Sequence, residues 1–351
     1  MTSADPVRRW LLACIVAVVL AVVVGGITRL TESGLSITEW EPVSGVLPPM
    51  SGEAWAAAYR DFLRIPQAET VHRGITLARF KWIYWWEWFH RLIARGVGLV
   101  FAVPYVVLLV RRRIPAAYRA RLAALPVLTL AQGALGWYMV QSGLVERSSV
   151  SAYRLAAHLA LALCILIVAV WTYAELDLRA EVARASRRWR ATVTAVAGLV
   201  VCTVISGAFV AGLRAGRIFN TFPLMGGAVV PPGYRTAGSW WVDAFENPVA
   251  AQFNHRVLAI VTLAAVLAVT LRARTAGAAA LPVACARALR VFAGVVVLQF
   301  ALGLTTLLLA VPVALGVAHQ LLGVMAVIAG VVAVQRAWGA RSIRLFPTRT
   351  R

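Results

Sequence analysis

The chain has 351 residues, of which 61% are hydrophobic and 14% charged. So apolar a composition excludes an ordinary soluble domain and points to a polytopic membrane protein. The formal net charge of +21 does not imply nucleic acid, because the arginines gather in short loops between apolar runs, the positive-inside pattern.

Eight runs are long enough, at ~20 residues each, to cross a bilayer as helices. They are predicted near residues 9–29, 84–110, 120–141, 153–173, 190–211, 250–271, 287–309 and 313–335. Arg8 and Arg9 precede the first run. They imitate the start of a secretion signal, but no convincing small-residue cleavage site follows Val24. Basic clusters follow the even-numbered runs: Arg111-Arg112-Arg113 with Arg119 and Arg121, then Arg179 to Arg190, Arg272 to Arg290 and Arg336 to Arg351. This predicts cytoplasmic termini and places two long loops, about 30–83 and 212–249, on the outer side. The first mixes Glu32, Glu39, Glu41 and Asp61 with Arg60 and Arg64 and carries tryptophan and proline, so it reads as a folded outer cap. His72 within it reads as a solvated or loop-packing residue. Cys14, Cys164 and Cys202 fall in spans and Cys285 in or beside a basic loop, so no extracytoplasmic disulfide is expected.

The chain repeats itself. Gln132-Gly133-Ala134-Leu135-Gly136 recurs 167 residues on as Gln299-Phe300-Ala301-Leu302-Gly303. His90-Arg91 recurs after 165 residues as His255-Arg256, and Ala157-His158-Leu159 after 161 as Ala318-His319-Gln320. The expected architecture is therefore an all-α integral membrane protein of eight transmembrane helices. These form two four-helix bundles, residues 1–180 and 181–351, duplicated in parallel about an axis along the membrane normal.

Each even-numbered span carries one histidine, about six residues past its predicted start, or ~9 Å below the outer surface at ~1.5 Å per residue. The four fall into two pairs, His90 with His158 and His255 with His319. Two neutral imidazoles facing each other across a bundle are the usual axial ligands of a b-type haem. Zinc would require further ligands, and neither pair has a Cys or carboxylate to complete such a set. A proton relay would require more polar residues along the helices. Four unrelated packing histidines are the structural alternative. Arg29, Arg91, Arg214 and Arg256 are candidate partners for haem propionates, since guanidinium forks suit carboxylates; headgroup snorkelling would account for them equally. Gly25-Gly26, Ser206-Gly207, Gly133, Gly136 and Gly303 would allow close helix packing or make room for a macrocycle.

The halves differ at one place. Glu87 stands three residues before His90, whereas Gln252 stands three before His255. An ionisable group inside a span is costly and marks a function by default. A plain electron carrier has no evident need for it, and an enzyme acting on the haem periphery would use a base or a water-positioning group there. The alternative is a structural ion pair with Arg29 or Arg91.

These residues carry a family resemblance. Gly25-Gly26-Ile27-Thr28-Arg29-Leu30-Thr31-Glu32-Ser33-Gly34-Leu35-Ser36 resembles the signature after the first span of haem A synthases. Glu87-Trp88-Phe89-His90-Arg91, Asn220-Thr221-Phe222-Pro223-Leu224-Met225 and Asn254-His255-Arg256 resemble three further motifs of that family. The likeness is to the bacterial branch close to the mitochondrial enzyme, without the outer-loop cysteine pair of other branches. It implies oxidation of a ring methyl of haem O to a formyl group through successive hydroxylations, in a bacterial inner membrane. By resemblance His255 and His319 hold a permanent haem b, His90 and His158 define the haem O site, and Glu87 is the catalytic carboxylate. Implied partners are the farnesyltransferase that makes haem O, the haem–copper oxidases supplied, and a protein or quinone that exchanges electrons. A homo-oligomer is compatible with the reading. Two other classes explain part of the pattern: a dihaem b-type electron carrier, and a haem transporter or assembly factor.

Overall fold

The computed structural model describes residues 4–41, 44–144, 148–177, 183–236, 238–277 and 280–339. The boundary expected at 180/181, Arg179 and the terminal arginines Arg341, Arg344, Arg349 and Arg351 lie outside the described residues.

Inside a bilayer every backbone donor and acceptor must be paired within the chain, which leaves helices as the natural solution for long apolar runs. All eight expected spans are helical: α1 (Ala4–Leu30), α4 (Leu77–Val110), α5 (Arg119–Leu144), α6 (Ala152–Glu175), α7 (Arg187–Gly212), α9 (Pro248–Arg274), α10 (Val283–Leu308) and α11 (Val313–Trp338). Three short helices complete the set, α2 (Gly52–Phe62) and α3 (Pro66–Thr70) in the first long loop and α8 (Trp240–Glu246) in the second. No strand occurs among the described residues. Cys285 is the third residue of α10, and all four cysteines are free thiols.

One boundary differs from expectation. The second span starts at Leu77, seven residues before its apolar run, so His90 lies two turns deeper in its helix than the other histidines do in theirs. Apolarity could not mark this segment, which carries Arg79 and Lys81. Its helix is fixed by an N-cap, Thr76 Oγ1 accepting from Arg79 N at 3.3 Å. It is also fixed by packing, because Phe80, Ile83 and Tyr84 are buried with Leu35, Trp55, Phe62, Ile65 and Ala68 in a core of their own. That core is what makes the outer cap a folded unit. His72 belongs to it: Nε2 meets the Glu32 carbonyl at 3.0 Å and the ring lies against Phe62.

The helix contacts give the architecture. In the first half α1 packs on α4, α4 on α5, α5 on α6 and α6 back on α1. In the second half α7, α9, α10 and α11 close the same ring. The rings meet through α1 with α11, α6 with α7, and α6 with α11. Exchanging first-half helices for their counterparts maps the first two contacts onto each other and the third onto itself, as a two-fold axis between α6 and α11 requires.

Candidate functional site

In each ring the two histidine-bearing helices are diagonal, α4 opposite α6 and α9 opposite α11. His90 lies within electrostatic range of His158, and His255 of His319. Each ring nestles on a glycine of another helix in its bundle. A Cβ added to Gly25 of α1 would sit 3.0 Å from His90 Cε1, and one on Gly136 of α5 3.0 Å from His158 Cε1. The equivalents are 3.2 Å for Gly207 against His255 and 2.6 Å for Gly303 against His319. Any side chain larger than hydrogen would push the imidazole aside.

The packing is uneven along the helices. On α4 no residue between Glu87 and Phe101 is fully buried, and on α5 none between Leu125 and Gly143. The same gap spans Gln252 to Thr262 on α9 and Val296 to Thr306 on α10. Ten residues of helix rise ~15 Å. Over that height, at the histidine level, these four helices carry side chains that their neighbours leave partly uncovered, which suits a large flat group between the paired imidazoles.

The polar atoms agree. Nδ1 of His90, His158 and His319 is buried with no partner among the described residues. His255 Nδ1 is 2.7 Å from Ser206 Oγ, which fixes that ring and leaves Nε2 for a ligand. Gln132 Nε2 lies 3.2 Å from His158 Nε2, and Gln299 Nε2 3.4 Å from His319 Nε2. Among the described residues no three His, Cys, Asp or Glu side chains gather as a metal set. Two imidazoles per bundle therefore fit an iron whose other ligands come from a macrocycle, and the residues present fit haem.

Glu87 is 2% exposed, and both its oxygens are engaged. Oε1 accepts from Arg91 Nε at 3.1 Å and Nη2 at 2.7 Å; Oε2 accepts from Ser36 Oγ and the Ile37 amide, each at 2.8 Å. Arg91 also donates to the carbonyls of Ile37 at 2.7 Å and Glu39 at 2.8 Å. The second half repeats this clasp without the charge. Arg256 donates to the carbonyls of Phe219 and Thr221, and Gln252 Nε2 donates to Phe219 O at 3.0 Å. Arg91, rather than Arg29, is thus the ion-pair partner of Glu87.

Arg29 and Arg214 converge elsewhere. Both donate to Glu32 Oε2, at 3.0 and 2.9 Å, and Arg29 also caps α7 through the carbonyls of Ala211 and Gly212. Glu32 and Arg214 are both left-handed, with φ of 56° and 53°, a costly conformation for a residue with a side chain. The Nε of Arg29, Arg214 and Arg256 is buried with no partner among the described residues, so each keeps a donor free. Arg91 spends its Nε on Glu87.

Sequence reasoning missed the pairing of glycine with histidine and the correspondence of α1 with α7. Residues 25, 32, 37 and 39 match 207, 214, 219 and 221 at one offset of 182, visible in geometry but, apart from the glycine pair, not in residue type.

A family model described as "COX15-CtaA: Cytochrome oxidase assembly protein" matches residues 8–331. The chain is 46% identical over 316 residues to "Heme A synthase" of Rhizobium meliloti (strain 1021), covering 90% of this chain and 85% of that one. It is 43% identical over 342 residues to "Heme A synthase" of Rhodopseudomonas palustris (strain BisB5), covering 96% and 92%. The protein of that name from Parvibaculum lavamentivorans is 46% identical over 311 residues, covering 89% and 88%.

Proposed function

Because the chain belongs to the COX15-CtaA family of cytochrome oxidase assembly proteins, we propose that it makes haem A from haem O, with the chemistry in its N-terminal half and a resident haem b in its C-terminal half. The function is haem A synthesis by a multi-pass bacterial membrane oxidoreductase acting on a ring methyl group. The division of labour rests on one observation: equivalent clasps in the two halves carry Glu87 in one and Gln252 in the other.

His90 and His158 hold the substrate haem O, and His255 and His319 hold haem b. Haem b, when bound, would supply one-electron transfer, with His255 and His319 as the residues that would hold it. Arg256, Arg29 and Arg214, each with a buried free Nε, are the propionate donors we favour. Arg91 serves its site by orienting Glu87.

Turning a methyl into a formyl group with water as the oxygen source releases four protons and four electrons, the electrons passing to the external protein or quinone, so the substrate half needs a proton acceptor near the ring edge. Glu87 lies one helical turn from His90 on the same helix. Four donors surround it, and it takes a proton by giving up one of them, the neutral side-chain donor Ser36 Oγ being the most easily displaced. The ion pair supports a second role. Glu87 ties the Ser36–Ile37 segment over the site, so its loss would loosen the cover as well as the chemistry.

Haem O comes from a membrane farnesyltransferase, and electrons leave to a protein or quinone. Both termini lie on the cytoplasmic side; a periplasm-only reporter fused after Arg351 should be silent, and activity there would overturn this topology. Pigment extraction from the purified protein tests the function. Haem O and haem A beside haem b are expected, and haem b alone at two per chain would instead make the protein a dihaem carrier.

A further inference from the structure

The two halves can be laid on each other residue by residue. The arginine clasps align Ile37 with Phe219 and Glu39 with Thr221, so the next residues, Trp40 and Phe222, correspond. The glutamines Gln132 and Gln299 and the glycines Gly136 and Gly303 align α5 with α10. Gly133 then matches Phe300, and Trp137 matches Leu304.

In the second half Phe222 packs on Phe300, ring centroids 6.3 Å apart. Phe222 belongs to the segment that Arg256 of α9 holds, and Phe300 belongs to α10. The pair therefore bridges the segment held by α9 to α10 beside Gln299, the residue that reaches His319. In the first half Trp40 goes to Trp137 instead, centroids 6.4 Å apart, one helical turn further toward the end of α5. Gly133 stands where Phe300 would be. It is exposed, and a Cβ there would meet nothing within 4 Å. Behind it lie Gln132 Oε1 and His158 Nδ1, both buried and without partners among the described residues.

We propose that this opening between α4 and α5, with Gly133 at its side and Trp40 and Trp137 above it, is where the isoprenoid tail of the substrate passes from the bundle into the lipid, and through which the substrate enters sideways. The proposal rests on the reading of the N-terminal half as the haem O site. A farnesyl chain inside the bundle would need a cavity of its own. Left in the hydrocarbon it loses nothing, since lipid tails are as apolar as a protein interior. Haem b has no such tail, needs no opening, and is better retained behind Phe300. The tryptophans suit the polar edge of the membrane, where such rings concentrate.

The test is a binding titration of the full-length purified protein with two probes, haem O and the tail-less haem b, followed by the low-spin absorbance of the His90–His158 site. Gly133→Phe, which copies the second half, should weaken haem O by roughly tenfold or more and leave haem b at that site within about twofold of the parent. The haem b of the His255–His319 site reports folding in the same sample. If Gly133→Phe loses that signal, Gly133→Ala decides, with a smaller shift in the same direction expected. Unchanged haem O binding, or equal weakening of both probes, overturns the proposal. A parent protein that takes no haem O at its N-terminal site overturns the underlying functional reading as well, and is recognised before any variant is made.

Discussion

The two halves hold their histidines alike and differ in what surrounds them. Each imidazole of both halves rests on a glycine, and each half clasps an outer segment with an arginine one residue past its first histidine. Around that common frame the N-terminal half places a carboxyl group and an exposed glycine, and the C-terminal half an amide and a phenylalanine. On the proposed division of labour, the two halves share what would hold a haem and differ in what would decide whether it reacts or leaves.

The largest effects should come from the ligands, and they should separate the halves. His255→Ala or His319→Ala should abolish the low-spin haem b signal, since each removes one axial bond. His90→Ala or His158→Ala should abolish haem A formation and keep that signal. Loss of the same spectral component from all four variants would mean that the halves do not hold distinct groups.

Next comes the charge. Glu87→Gln should fold, retain both pigments and lower haem A formation by ~10²–10⁴-fold, the usual contribution of a positioned acid or base. Extracted pigments should then show haem O or a partly oxidised product. Gln252→Glu should create no activity. Haem A at the parental level from Glu87→Gln would leave only the clasp as the role of this carboxylate.

The glycine seats give a graded prediction. The clearances rank them Gly303 at 2.6 Å, Gly25 and Gly136 at 3.0 Å, and Gly207 at 3.2 Å. Overpacking of this kind costs about 1–3 kcal/mol. Haem retention through detergent washing should fall most for Gly303→Ala and least for Gly207→Ala. A different order would show that the rings yield independently of these clearances.

The smallest effect concerns Arg214. Arg214→Ala loses the ion pair with Glu32 and keeps the left-handed strain, whereas Arg214→Gly loses the pair and relieves the strain. The glycine variant should be the more stable by about 1 kcal/mol, read as a higher unfolding temperature in detergent. Equal midpoints would mean that the backbone there relaxes freely.

Much of this was legible in the sequence. Apolar length found all eight spans, because a bilayer leaves a chain little choice beyond helices. Repeated short motifs pointed to two matching halves, and the single difference between Glu87 and Gln252 is what the proposed division of labour rests on. The extra turns of α4 were hidden because Phe80, Ile83 and Tyr84 pack on the outer cap while Arg79 beside them is exposed, which interrupts the apolar run. The partners Ser36 and Ile37 of Glu87 were also hidden, since a contact 50 residues away in sequence has no local signature. Gly25, Gly136, Gly207 and Gly303 were noticed as small residues, but only the folded bundle tells a glycine that admits a helix from one that admits an imidazole.

The pair between Glu32 and Arg214 also carries a date. Positions 32 and 214 are counterparts, and they touch across the axis that relates the halves. In a symmetric dimer of identical chains, a residue at such a place meets its own copy. An ancestor of that kind would have set glutamate against glutamate or arginine against arginine, which repel. Opposite charges at this point became attainable only when the copies could mutate separately. If the halves descend from such a dimer, the contact is younger than the doubling and marks the passage from an equal partnership to an unequal one.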